Sequence, residues 1–191
     1  MKIRILLPAL LLALPLAACS EHGNDTAKTV TDSTSSIGRS VQEATDKARS
    51  EMAKTNFKLS VDGLPRAEIT PDGALLIDGK DVVSTPAQRA QLLTYRKQME
   101  AVAGAGMDIG VAGANLGVKA AGEAIKGVFS GNTDGIEQRI NAEADKLKDQ
   151  AKGICEKLPA MLATQQALAA TLPAFAPYAK MTQSDIDDCG K

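Results

Sequence analysis

The longest regular pattern of apolar and polar residues runs from Ser84 to Ser130 and predicts one long helix, or a helix broken once near Gly104 to Gly106. Its start is well marked, because Thr85 and Gln88 have the spacing of a capping box and proline follows Thr85 at the first helical position. Seven glycines lie inside this pattern, at 104, 106, 110, 113, 117, 122 and 127. Each costs a helix about 1 kcal/mol relative to alanine, so packing must offset roughly 7 kcal/mol.

The spacing of four of these glycines suggests how the cost is offset. Gly106, Gly110, Gly113 and Gly117 recur at steps of four and three, which places them on one side of the helix. A second helix could approach such a side closely, and the dispersion contacts and apolar burial would be favourable. We therefore predict that these four glycines form a helix-packing face.

Small residues at this spacing also occur in membrane helices. Here Asp108, Lys119 and Glu123 interrupt the apolar run before it reaches the roughly 20 residues that a span requires. The sequence therefore favours close packing between soluble helices over insertion into a bilayer. Nucleotide-binding glycine loops are excluded, because the glycines follow a helical pattern and match neither standard spacing.

Residues 1–18 predict a signal peptide. Lys2 and Arg4 precede an apolar run at 5–14 that is too short to span a membrane. The run ends in Leu-Ala-Ala-Cys at 16–19, which resembles a bacterial lipobox. That resemblance implies cleavage before Cys19 and lipidation of its thiol; the alternative is an ordinary signal peptide with an incidental cysteine.

The residue after the cysteine bears on the destination of the protein. Ser20 stands there in place of aspartate, which in lipoproteins of enteric type implies delivery to the outer membrane. We expect a periplasmic protein that is attached to the membrane through its N-terminal lipid. Residues 20–35 are polar and predict a flexible tether, and residues 36–54 have a weak helical pattern that predicts a marginal helix. Coil and a membrane-surface helix are the alternatives for the second segment.

The pattern changes at Phe57, where apolar and polar residues alternate as in a half-buried strand. Further short strands are predicted at 67–70 and 74–77, and Asp78-Gly79 marks a tight hairpin into Val82 and Val83. After the central helix, helical periodicity returns at 136–158 and again from Pro159. We therefore expect an α+β fold over 57–191, with a small antiparallel β-meander packed on three to four helices. The lipidated cysteine, the tether and the marginal helix precede it at 19–56.

Two cysteines remain once Cys19 is assigned to the lipid. Because a signal peptide leads to an oxidising compartment, Cys155 and Cys189 are predicted to form a structural disulfide. A redox-active pair and two free thiols are the alternatives, and the lack of a C-x-x-C spacing disfavours the first.

The sequence is poor in catalytic groups. Its one histidine, His22, lies in the predicted tether and cannot act as a positioned base. The calcium-like string at 130–135 begins with serine in place of aspartate, and the tail acids Asp185, Asp187 and Asp188 are typical of a helix cap. The formal net charge of −1 and the 3 % aromatic content disfavour nucleic-acid binding. We expect no enzyme activity, no cofactor and no metal site.

The run DGALLIDGKDVVSTPAQRAQLLTYR at 72–96, together with the downstream cysteine pair, resembles the YggN-like family of uncharacterised proteobacterial periplasmic proteins. The resemblance covers roughly 57–189 and supports the compartment. It implies no activity and no functional residues.

The expected function is that of a non-enzymatic lipoprotein of the cell envelope, with a structural or protein-interaction role and an envelope protein as its unknown partner. The alternative is a binding module for a lipid or another apolar small ligand, held in a cavity between the meander and the helices.

Overall fold

The computed structural model describes residues 23–130 and 135–190, with side chains for 36–125 and 135–190. The fold is α+β, as predicted: a four-stranded antiparallel sheet packs on a set of helices. The helices are α1 (Gly23–Lys54), α2 (Pro86–Ser130), α3 (Ile136–Cys155), α4 (Leu158–Thr171) and α5 (Gln183–Asp187), with a 3-10 turn at Ala176–Tyr178. The strands are β1 (Phe57–Leu59), β2 (Ala67–Ile69), β3 (Leu75–Ile77) and β4 (Lys80–Asp81).

The meander has the strand order β1-β2-β3-β4, with every neighbouring pair antiparallel. Its tightest connection is at Asp78 and Gly79, where both residues have positive φ, of 48° and 75°. A two-residue turn of this kind pairs the flanking residues directly, and Ile77 is indeed opposite Lys80. The fourth strand lies at Lys80–Asp81, so the prediction that it contains Val82 and Val83 was wrong, and the Val83 side chain is 96 % exposed.

Helix α2 is continuous over 45 residues, so the alternative with a break near Gly104 is not realised. Its capping box forms as predicted. The Gln88 backbone N–H donates to Thr85 Oγ1 at 3.2 Å, and the Thr85 backbone N–H donates to Gln88 Oε1 at 2.8 Å. These two bonds satisfy backbone donors that the first helical turn would otherwise leave free.

Helix α1 packs along α2 in the antiparallel direction. Arg49 Nη2 donates to the carbonyl of Gly104, whereas Gly38, nearer the start of α1, lies against Asn115 of α2. The structure thus shows a packed helix where the sequence predicted a marginal one. It also begins at Gly23, so that 23–35 of the predicted tether are helical; residues 19–22 lie outside the described part of the chain. Extending a helix that is already packed costs much less than starting one.

Helices α3 and α4 follow one another along α2, also antiparallel to it. Gln98 Nε2 of α2 donates to the carbonyl of Ala160 in α4, and Arg139 of α3 pairs with Glu123 near the other end of α2. The junction between them is at residues 156 and 157, so α3 ends three residues before the predicted 158. Pro159 lies in the first turn of α4, where its missing N–H costs nothing.

The apolar core lies at one end of this assembly. Among the described residues, its buried side chains come from β2, β3, the first turns of α2, α4 and the turn after it, and they are Ala67, Ile69, Leu75, Leu92, Tyr95, Met161, Leu168, Leu172, Phe175 and Tyr178. We call this end the head (57–103 and 158–190). The other end, α1, α2 from Gly104 onward and α3, is the arm, and α3 has no buried residue.

A buried arginine connects the arm to the head. Arg96 is only 2 % exposed, and its guanidinium donates to the carbonyls of Ile69 in β2 and of Met52 and Thr55 at the end of α1. Its Nε lies 2.7 Å from a carboxylate oxygen of Glu100, one turn further along α2. The charge is therefore paired and its hydrogen-bonding groups are used, as burial of a guanidinium requires.

Replacing Arg96 with methionine keeps much of the side-chain volume but removes every one of these bonds. We expect Arg96→Met to lower the free energy of unfolding by about 3 to 5 kcal/mol, because three carbonyls and the Glu100 carboxylate lose their donor. The matched control is the exposed neighbour Lys97, whose change to methionine should alter stability by no more than about 0.5 kcal/mol. Urea unfolding of both variants measures the difference, and equal losses would contradict this role of Arg96.

Candidate functional site

The groups that the sequence offered for catalysis or metal binding are one histidine and the acids of the tail. The histidine, His22, lies outside the described residues. Within 23–130 and 135–190, no group of three or more His, Cys, Asp or Glu side chains could hold a metal ion. Asp185 instead belongs to the capping box of α5, where bonds from the Thr182 backbone N–H and hydroxyl keep the pKa of that carboxyl below its ordinary value.

The two remaining cysteines are brought together as the sequence predicted. Cys155 and Cys189 form a disulfide with a Cα–Cα distance of 5.7 Å. Cys155 is the last residue of α3, and Cys189 follows α5, so the bridge holds the end of the chain against the junction of α3 and α4. The predicted lipid attachment point, Cys19, lies outside the described residues. It precedes the first residue of α1, Gly23, by four positions.

Ion pairs join α2 to both of its neighbours in the arm. Asp108 pairs with Arg49 of α1, Lys119 lies 3.5 Å from Glu143 of α3, and Glu123 lies 3.2 Å from Arg139. The nearby Lys146 also donates to Glu143, and with the charge of Lys119 it keeps the pKa of that carboxyl below its ordinary value. The charged side of α2 is therefore the side that faces α1 and α3.

The predicted glycine face lies on the other side. At 100° per residue, the four glycines are centred about 140° around the helix from Asp108, Lys119 and Glu123. A Cβ atom added to Gly106, Gly110, Gly113 or Gly117 would meet no atom of the described residues within 4 Å. Within the described part of the chain, these glycines therefore do not form the predicted helix-packing face, because α1 and α3 pack on the opposite side of α2. The close approach is instead at Gly38 of α1, where an added Cβ would lie 3.0 Å from Asn115 Oδ1.

The open side of α2 carries no charge along the arm. Besides the four glycines it presents small and apolar residues, namely Ala103, Ala114, Ala120, Ala121 and Ala124. By length and composition alone, 86–125 contains a stretch that could cross a membrane, and none of that stretch is buried. We call this side of α2, from 103 to 124, the open face.

Three clefts lie along α2 in the arm and have both charged and apolar lining residues. One of about 310 Å³ runs between α2 and α3 and is lined in part by Lys119, Glu143 and Lys146. Two more, of about 450 Å³ each, share Asp108 and Lys157. The space between meander and helices, where the alternative function would place an apolar ligand, is filled by the core side chains of the head.

Comparison with known proteins gives no relative: no family model matches the chain, and no curated protein or solved structure is significantly similar to it. The resemblance to the YggN-like family therefore stays a prediction.

The open face can be tested by adding the side chain that the helix lacks. Gly117→Ala should raise the free energy of unfolding by up to about 1 kcal/mol, because it improves helix propensity and meets no neighbour. Gly73→Ala is the opposite control, since Gly73 has a φ of +82° and its Cβ would lie 2.5 Å from Leu93 Cγ; it should destabilise by roughly 1 to 3 kcal/mol. Thermal melts decide, and a lower melting temperature for Gly117→Ala would show that something packs on this face in the isolated protein.

Loss of the disulfide should weaken the head measurably. The bridge closes a loop with a sequence separation of 34 residues, which stabilises a fold by about 3 to 4 kcal/mol in the chain-entropy model. We expect the double variant Cys155→Ala, Cys189→Ala to unfold at correspondingly lower urea concentration, and Cys19→Ala to leave the midpoint unchanged. Intact mass before and after reduction checks the bridge itself; two thiols open to alkylation in unreduced protein would refute it.

Proposed function

We propose that this protein is a non-enzymatic lipoprotein of the cell envelope that acts through binding surfaces, anchored by a lipid on Cys19. The signal-peptide pattern and the lipobox-like tetrad at 16–19 support the anchor and a periplasmic location. Ser20 supports sorting to the outer membrane. The resemblance of 72–96 to a periplasmic family agrees with this compartment.

The open face of α2 is the observation that carries an interaction role. An uncharged stretch of helix that is left unburied in a folded protein supports a contact with another molecule or with a membrane. The filled core of the head favours this role over a carrier that holds its ligand between the meander and the helices. The net charge of −1 gives nucleic acid no basic surface to bind.

The anchor is tested by removing its thiol. Cys19→Ala should yield either unprocessed precursor or protein without acyl chains, because the several chains of a lipidated cysteine, at about 0.8 kcal/mol per buried CH2, are the main source of membrane affinity. The measurement is the amount of protein that stays in the membrane pellet after an alkaline carbonate wash, with the mass of the N-terminal peptide. The double variant of Cys155 and Cys189 should stay in the pellet. Processed Cys19→Ala protein that stays in the membrane pellet after the wash would contradict the proposed anchor.

A further inference from the structure

We infer that the open face of α2 lies flat on the lipid bilayer that holds the anchor. This inference rests on the proposed lipidation of Cys19 and names the partner of the open face. The arm would then contact the membrane along α2, while α1 and α3 lie on the side away from the lipid.

On α2, the charged side is turned toward the neighbouring helices and the uncharged side is not, although the Asp108 and Lys119 side chains remain 69 % and 50 % exposed. Charged residues normally lie outside and small apolar residues inside. In the arm, Asp108, Lys119 and Glu123 of α2 all point toward the neighbouring helices and are paired there. The uncharged side faces outward, with Gly106, Gly110 and Gly117 exposed. Contact with an apolar environment removes this mismatch.

The direction of α1 brings the anchor to the arm. Because α1 is antiparallel to α2, its first residue, Gly23, lies toward the end of α2 at Ser130 and away from the head. Cys19 is four residues before Gly23, a distance that extended chain covers in at most about 14 Å. A lipid on Cys19 therefore holds the arm near the bilayer, within reach of the open face.

The arm can lie on the bilayer but cannot cross it. Helices α1 and α3 are joined to α2 by ion pairs, and their outer surfaces carry exposed charges such as Glu43, Lys148 and Asp149. Taking these groups into hydrocarbon would cost several kcal/mol for each unpaired charge. An orientation in the plane of the interface, with one face in contact with lipid, leaves all of them in water.

The chemistry of the open face sets the strength of this contact. Glycine and alanine contribute little transfer free energy, so the face alone binds lipid weakly and the acyl chains supply the affinity. The face then decides how the attached protein is oriented. Two weak signals that act together in this way are the usual basis of stable peripheral binding. A second copy of the chain is the competing occupant of the same face.

The experiment attaches the protein to vesicles chemically, so that it does not depend on lipidation in the cell. In protein from 19–191 the disulfide occupies Cys155 and Cys189, which leaves Cys19 as the one free thiol for coupling to a maleimide lipid. The chain has no tryptophan, so one introduced residue is the sole reporter of its kind. Gly117→Trp places it on the open face, and Ala151→Trp places the matched control at an exposed position of α3.

The vesicles are phosphatidylcholine whose acyl chains carry bromine near the glycerol, with unbrominated vesicles as the reference. We expect Gly117→Trp to lose several-fold more emission than Ala151→Trp, because bromine quenches only tryptophans that reach the acyl chains. Adding Gly113→Asp to the Gly117→Trp protein places a charge on the same face and should abolish the quenching.

Three outcomes overturn the inference. Equal quenching of both reporters would show that tryptophan itself seeks the lipid, and no quenching of either would show that the arm stands clear of it. Gly117→Trp protein that is protected from bromine, and is cross-linked as dimers on the vesicle, would assign the face to a second copy. None of these outcomes bears on the Cys19→Ala experiment, so the anchor and the membrane contact can fail separately.

Discussion

The burial of Arg96 is the interaction on which the arrangement of this protein depends. Two chain segments that are distant in sequence from Arg96 direct three carbonyl groups at its guanidinium: β2 through Ile69, and the end of α1 through Met52 and the adjacent Thr55. A guanidinium without these partners could not be buried at an acceptable cost, and the carbonyls without it would lack donors. This single group therefore determines where α1 ends and how the meander lies on α2.

From that fixed end, α1 extends along α2, and the pairing of Arg49 with Asp108 sets its rotation. The pairs that Lys119 and Glu123 make with α3 lie on the same side of α2. Once three charges of one helix are used in this way, its opposite side has to face outward. The exposure of the glycines thus goes with the packing of α1 and α3 on the charged side of α2.

The sequence predicted correctly the features that depend on residues a few positions apart, namely the capping box of Thr85 and the Asp78-Gly79 hairpin. It also predicted the disulfide between Cys155 and Cys189, because only two cysteines remain once Cys19 is assigned to the lipid. The predicted location of the glycines relative to α1 and α3 was wrong. Small-residue spacing indicates that another helix can approach closely, but it does not identify which helix does so. The useful signal was that Asp108, Lys119 and Glu123 share one side of α2, opposite the glycines. Their partners, such as Arg49 at a separation of 59 residues, show no local pattern.

The two ends of the molecule differ in what holds them together. The head has a filled core, and the disulfide and the buried Arg96 join it to the arm, whereas the arm itself relies on helix contacts and exposed ion pairs, which contribute little individually. In the arm, packing among the described residues does not offset the helix-propensity penalty of the glycines, because no neighbour covers those positions. Alanine would make a more stable isolated helix at each of them. What glycine provides there is a flat surface, and a flat surface stabilises the protein only where another molecule packs against it.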